Sequence, residues 1–199
     1  MKNAFSFLLI AVLFITFSAC RKDRGPKAFG FVLASGTNAP IEGATVDLYK
    51  GDSFLGPWTF DRTLTTCSDG AYEFVIPDNE VYRLSSYHSK YFDVSNGYFQ
   101  LSRDDRESNA TLTPHAYIKL HVENVAPVNQ WDNIRIYGFS ILDDPDNIGT
   151  DINIDRTYLI RGNKNIEFAW EVIKNGMSTI TFDSLYAPAH DTLHYEILY

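Results

Sequence analysis

Four groups of residues in this chain have types and spacings that could do chemistry. Ser53, within Gly51-Asp52-Ser53-Phe54-Leu55, and His194, within Asp191-x-x-His194, could act as nucleophile and base, the imidazole taking the proton as the hydroxyl attacks an ester. The run Asp143-Asp144-Pro145-Asp146-Asn147-Ile148-Gly149, followed by Asp151 and Asp155, is the densest acidic patch. Calcium takes roughly six to eight oxygen ligands, so Asp144, Asp146, Asp151 and Asp155 are the candidate set for a structural ion. His190 and His194 are four positions apart, the spacing of helical zinc sites. Cys20 and Cys67 are the only two thiols.

Each chemistry needs a particular element beneath it, and the local sequence decides. The serine and histidine blocks resemble the first and last blocks of GDSL-type esterases, in which the serine sits on a turn opening into a helix. Here Leu55-Gly56-Pro57 follows Ser53 and cannot open a helix, and no Gly-x-Asn-Asp block lies between. The match reads as coincidence. Counted from Asp144, a twelve-residue calcium loop puts Gly149 sixth and Asp155 twelfth, but Ile148 occupies a ligand slot and the closing Glu is missing. An ordinary acidic hairpin loop is the favoured reading, with structural calcium as the alternative and no other cofactor implied. On a strand, His190 and His194 would stand about 13 Å apart, too far to share one ion. Cys67 sits in a Thr-rich strand pattern with no cationic neighbour in sequence, so it reads as a small buried hydrophobe.

The surrounding texture is that of strands. Aromatic residues make up 15% of the chain, which favours pleated faces on which rings pack. No stretch of the mature chain sustains helical periodicity. Ala28 to Leu33 reads as a strand and Gly36 to Pro40 as its turn. Val46 and Leu48 alternate with polar neighbours. Ser68-Asp69-Gly70 is a tight turn into the alternating run Ala71 to Ile76, and Val81 to Leu84 follows Pro77-Asp78-Asn79.

The order Gly30-x-Val32, Pro40-Ile41-x-Gly43-Ala44-x-Val46-x-Leu48, Thr65-Thr66-x-Ser68-Asp69-Gly70-x-Tyr72-x-Phe74, then Tyr82-x-Leu84 resembles the carboxypeptidase regulatory-like, or transthyretin-like, domain. The resemblance covers about residues 27–113 and implies a small seven-stranded sandwich without catalytic residues of its own. Members of that family commonly follow lipid anchors or open uptake receptors. What carries over is a fold: glycines for turns, and Val46, Leu48, Tyr72 and Phe74 for the inward face.

A second all-β stretch follows Pro114, read here as a strand terminator and domain boundary. Tyr117 to Val122, Asn133 to Phe139, Thr157 to Ile160, Ile166 to Ile173, Met177 to Phe182 and Thr192 to Tyr199 read as strands. Asn175-Gly176 is the strongest hairpin signal among them. The expectation is all-β: two tandem β-sandwich domains, at 27–113 and at 114–199, the second immunoglobulin- or fibronectin-like. Trp58, Tyr91, Phe92 and Trp131 are aromatic candidates for contacts with a ligand. His88, His115 and His121 have no partner evident from sequence.

Ahead of these domains, Ala4 to Phe17 is an almost unbroken apolar run of about 15 residues after a short basic start, the length of a secretory segment and short of the ~20 needed to span. Phe17-Ser18-Ala19-Cys20 at its end resembles the lipobox of bacterial lipoproteins. That resemblance implies a signal peptide over 1–19, a diacylated Cys20, and a tether over 20–26. Residues 28–199 hold 12 basic and 24 acidic side chains, a balance of −12 that repels phosphate backbones and argues against nucleic acid. The partners expected are a membrane, through the lipid on Cys20, and a glycan or envelope protein. The expected address is the outer membrane, and Arg21 and Lys22 just after the cysteine lean towards its periplasmic leaflet. The functional expectation is a non-catalytic binding or scaffolding lipoprotein, beside a glycan-uptake or surface-assembly complex; the alternative is a structural or adhesive subunit pairing through an edge strand.

Overall fold

The structure, a computed structural model, describes residues 27–53, 55–76, 81–92, 99–101, 107–139 and 147–199. Every regular element among them is a strand: β1 Lys27–Ala34, β2 Thr45–Gly51, β3 Thr59–Thr65, β4 Ala71–Val75, β5 Val81–Tyr87, β6 Tyr91–Phe92 and β7 Phe99–Leu101. Then come β8 Ala110–Glu123, β9 Asn133–Tyr137, β10 Asn147–Ile148, β11 Asn153–Arg161, β12 Lys164–Lys174, β13 Met177–Ala187 and β14 Thr192–Leu198. The all-β expectation holds. The chain forms two compact units that interleave in sequence: residues up to Val32, Pro40–Ser85 and Gly97–Ala110 make the first, and Leu33–Ala39, Ser86–Asn96 and Thr111–Tyr199 the second.

In the first unit β1 pairs antiparallel with β4, and a second sheet runs in the order β3-β2-β5-β7. Period-two alternation points Ala28 and Val32, Val46 and Leu48, Tyr72 and Phe74, and Tyr82 and Leu84 into the core, where all are buried. The turn read at Ser68-Asp69-Gly70 is present. Gly70 adopts φ 72°, its N–H donates to the Cys67 carbonyl, and the Asp69 carboxylate accepts from the Ala71 N–H at 3.0 Å. Buried Thr66 ties the Pro40–Ala44 corner. Its hydroxyl accepts from the Ala44 N–H at 2.9 Å and donates to the Ile41 carbonyl at 2.6 Å. This bond pair satisfies polar groups that water cannot reach.

In the second unit β8 is central: β11 pairs with it antiparallel, β14 parallel, and β6 meets its first residues. The other sheet runs β10-β9-β12-β13. Leu120, Val122, Ile134, Ile136 and Ile197 form one buried cluster, with Ala116, Ile118, Ile160 and Ala187 beside it. Phe139, Phe168, Trp170 and Tyr195 pack in a ring network, Phe139 lying 4.7 Å and Tyr195 5.0 Å from Phe168 between centroids. Offset and edge-on rings of this kind add to burial. Asn175 and Gly176 both have positive φ, as a two-residue hairpin turn requires.

Two readings need correction. Pro114 does not end a strand; it lies inside β8, opposite Tyr91 of β6. Its carbonyl accepts from Gly162 N–H, and the neighbouring His115 N–H donates to Lys90, so the missing proline donor falls where the ladder does not need one. The segment read as a short strand at Thr157 to Ile160 runs from Asn153 to Arg161, paired residue for residue with His115 to Glu123.

Candidate functional site

The outer face of the β3-β2-β5 sheet in the first unit carries an aromatic cluster around one cation. Val46 and Leu48 point inward, so Tyr49 points out; Tyr82 and Leu84 do the same for Arg83. The Arg83 guanidinium lies over the Tyr49 ring at 5.3 Å and over the Trp58 ring at 4.9 Å from the centroids. Phe60, opposite Tyr49 in register, meets it edge-on at 5.9 Å and is 53% exposed. Trp58, singled out from sequence, is therefore half-buried against Arg83. Arg83, Tyr49 and Phe60 went unnoticed: alternation places each outward, but only the β2–β3 and β2–β5 pairings make them neighbours. A guanidinium lying over two aromatic rings is a preorganised donor beside apolar surface.

The other aromatic candidates lie in the second unit. Tyr91 and Phe92 form β6 and are half-buried. Tyr91 packs edge-on against His88 at 5.1 Å and His190 at 5.0 Å, and Phe92 against His115 at 4.6 Å. Two of the histidines without an evident partner thus have aromatic ones. Burial, ahead of the nearby charges of Lys90, His115 and His88, lowers the His190 pKa. Trp131 is 72% exposed, on a loop whose geometry is set by the residue beside it.

That residue, Asp132, is fully buried. Its carboxylate accepts from the N–H groups of Val128 at 2.7 Å and Asn129 at 3.3 Å, and from Asn124 Nδ2 at 3.2 Å. The Val128 bond, foremost, holds the Asp132 carboxyl below the usual carboxylate range. Lys174 closes the knot: its ammonium donates to Asn124 Oδ1 at 3.0 Å and to the Ala126 carbonyl at 2.6 Å, and lies 4.9 Å over the Tyr199 ring. The Val128, Asn129, Asn124 and Lys174 donors converge on Asp132, Asn124 and the Ala126 carbonyl, so the network reads as a clamp on the loop between β8 and β9.

The catalytic and metal candidates fall as follows. Ser53 lies in the irregular connection from β2 to β3, where its carbonyl accepts from Gly56 N–H, and among the described residues no helix follows it. His194 lies on β14 in the second unit, opposite Lys119. His190 occupies a turn at φ 60° while His194 is on the strand beyond. Asp144 and Asp146 lie outside the described residues. Asp151 precedes β11, and Asp155 within it faces His121 Nδ1 at 3.1 Å. Among the described residues no group of three or more His, Cys, Asp or Glu side chains could hold a metal ion. Cys67 departs from the expected lone buried thiol: it is half-buried and disulfide-bonded, while Cys20 lies outside the described residues.

No protein-family description matches the chain, and no curated protein matches it. Among solved structures it is similar to the TIE protein of Bacillus anthracis, at 9% identity and a TM-score of 0.37 over 86% of this chain. The match takes in 33% of the TIE protein, so the chain spans about a third of that relative's length. It is also similar to the shaft pilin SpaA of Lactobacillus rhamnosus GG, at 10% identity and a TM-score of 0.36, over 88% of this chain and 97% of that one. A third is GBS52, the minor pilin of Streptococcus agalactiae, at 13% identity and a TM-score of 0.34, over 85% and 94% of the two chains. Likeness at this level assigns neither family nor function. The fold itself defines the class: an all-β protein of two compact units.

Proposed function

We propose that this chain is a non-catalytic, lipid-anchored binding module of the bacterial envelope, and that the Tyr49–Trp58–Phe60–Arg83 face takes a neutral glycan. The carrying observation is the Arg83 guanidinium lying over both the Tyr49 and the Trp58 ring, with Phe60 exposed against Tyr49. A hexose presents an apolar C–H face, which suits a ring, and a rim of hydroxyls, which suits a guanidinium. The reading as a non-enzyme is supported by where the motif residues act: Gly70, Thr66, Tyr72 and Phe74 make turns and core, and Ser53 lies on no helix-opening elbow. Anchoring rests on Phe17-Ser18-Ala19-Cys20, with diacylation of the Cys20 thiol, and on the basic residues Arg21 and Lys22, which favour the periplasmic leaflet of the outer membrane. A place beside a glycan-uptake or surface-assembly complex follows from the resemblance to the carboxypeptidase regulatory-like domain.

Affinity electrophoresis of the full chain in gels containing neutral hexose polysaccharide tests the binding face. Retardation by at least one such polysaccharide, abolished in Trp58→Ala and Phe60→Ala and retained in Trp131→Ala, is the expected result. Mobility unchanged in every gel, or retardation indifferent to Trp58 and Phe60, overturns the assignment.

A further inference from the structure

We infer that β13 is a self-pairing edge, through which two copies of the chain join antiparallel about a two-fold axis at Thr181. The inference rests on the reading of the chain as a non-catalytic interaction module and names one partner for it. β13 is the last strand of its sheet; it pairs with β12 in unbroken register from Lys164↔Ala187 to Lys174↔Met177, and among the described residues no strand covers its other edge. A free edge presents a row of backbone donors and acceptors that template another strand. Proteins commonly blunt such edges with a proline, a lysine, a bulge or brevity. β13 has eleven residues and no proline, lysine or bulge, Met177-Ser178-Thr179-Ile180-Thr181-Phe182-Asp183-Ser184-Leu185-Tyr186-Ala187; its one charge, Asp183, accepts from the neighbouring Ser184 N–H at 2.7 Å, a bond that pairing would exchange. The sheet's other edge, β10, is two residues long.

Both faces of β13 are open. Met177 is 72%, Ile180 54%, Phe182 79% and Tyr186 56% exposed, far above what a strand with an inward face shows. Singly exposed apolar residues need no explanation, but four on one edge strand do.

The partner is read from the polarity of the strand, which is palindromic about Thr181. With Thr181 opposite its copy, Ile180 faces Phe182 of the second copy and Phe182 faces Ile180. In the same register Met177 meets Leu185, Ser178 meets Ser184, and Thr179 meets Asp183, each pair occurring twice. Every apolar residue from 177 to 185 meets an apolar one, and Asp183, the one charge of the strand, meets a hydroxyl. Moving the axis to Phe182 would put Ile180 against Ser184; moving it to Asp183 would set two carboxylates face to face. A foreign strand would have no reason to find this symmetry in place. The resulting contact joins two four-stranded sheets into one continuous sheet.

Sedimentation velocity of the detergent-solubilised full chain over roughly 1–100 μM, the range in which a modest self-association is visible, reads the mass directly. A concentration-dependent dimer is expected, with Phe182→Lys weakening it about tenfold or more, because a lysine on the edge blocks continuation. Since residue 182 is exposed, circular dichroism of the variant should match the parent. With Cys67→Ser as the common background, oxidation of Thr181→Cys should give a covalent dimer that Thr179→Cys does not, because only the residue on the axis faces itself. A strict monomer overturns the inference, as does a dimer indifferent to Phe182→Lys, or equal cross-linking at 179 and 181. Polysaccharide retardation of the same samples reports separately on the Trp58 face, so a monomer that still binds sugar would sink this inference alone.

Discussion

Gly30 on β1 stands opposite Tyr72 on β4, and the Tyr72 hydroxyl donates to the Ser108 carbonyl in space that a side chain at position 30 would need. A Cβ built on Gly30 would lie 1.8 Å from the Ser108 oxygen and 3.0 Å from the tyrosine hydroxyl. The absent side chain lets the segment carrying Ser108 lie directly on β1, where Ser108 N–H also donates to the Phe29 carbonyl at 2.9 Å. Burial, partly offset by this hydrogen bond, pushes the Tyr72 pKa up to about 12, so the donor keeps its proton across the ordinary pH range.

Gly30→Ala is therefore expected to cost about 3 kcal/mol or more, because backbone rather than a flexible tip must move. Tyr72→Phe, which leaves the volume and removes one buried bond, should cost about 1 kcal/mol. Urea unfolding of both variants measures the order; an equal or reversed pair would mean that the Ser108 segment is held by other contacts.

Asp132 organises the loop between β8 and β9. In Asp132→Ala the N–H groups of Val128 and Asn129 and the Asn124 amide lose their acceptor in a buried place. The expected fall in Tm is roughly 10 °C for a unit of this size. Lys174→Met, which keeps the apolar stem and loses the ammonium over Tyr199, should fall by less. Differential scanning fluorimetry ranks the two, and a neutral Asp132→Ala would contradict the clamp.

His121 gives the pH dependence a sign. Its Nδ1 faces Asp155 at 3.1 Å and its Nε2 faces Glu123 at 3.5 Å, while Glu196 of β14 is its register partner. The hydrogen bond with Asp155 is the main reason its pKa is raised. A raised folded value means that the native state holds the proton more tightly. The stabilisation is fully present below the unfolded value of about 6.5 and is lost as pH rises through the folded one. His190, lowered chiefly by burial, has the opposite sign: its contribution is present above about 6.5 and lost on acidification through the lowered value. Imidazole resonances followed by NMR should place His121 above and His190 below the ordinary midpoint. His121→Gln should remove the decline in stability on the alkaline side.

The two thiols make exclusive predictions. A sulfur carrying a diacylglyceryl thioether cannot also be in a disulfide, and the chain has only Cys20 and Cys67. Lipidated protein extracted from membranes should show the mass of the lipid on a peptide beginning at Cys20 and one thiol that labels at Cys67. A chain with no lipid and no labelling thiol would instead match the disulfide-bonded Cys67 of the structure, and would remove the anchor from the proposed function.

Much of the fold could be read before any coordinates. Asp69-Gly70 and Asn175-Gly176 turn where they stand because positive φ is a property of one or two residues. Alternation assigned Val46, Leu48, Tyr72 and Phe74 to the core because the strand period is two, whatever the partner. Pro114 misled, since proline forbids a donor but not a strand, and the β8 ladder leaves that donor unneeded.

Sequence alone determined the all-β class, the turns and the inward faces, since each depends on neighbours a few positions apart. Tertiary structure decided which residues meet: Arg83 with Tyr49 and Trp58, His121 with Asp155, Gly30 with Ser108, and Lys174 with Asn124. These partners lie tens of positions apart, and strand register, in which a slip of one residue turns every side chain to the opposite face, is what brings them together.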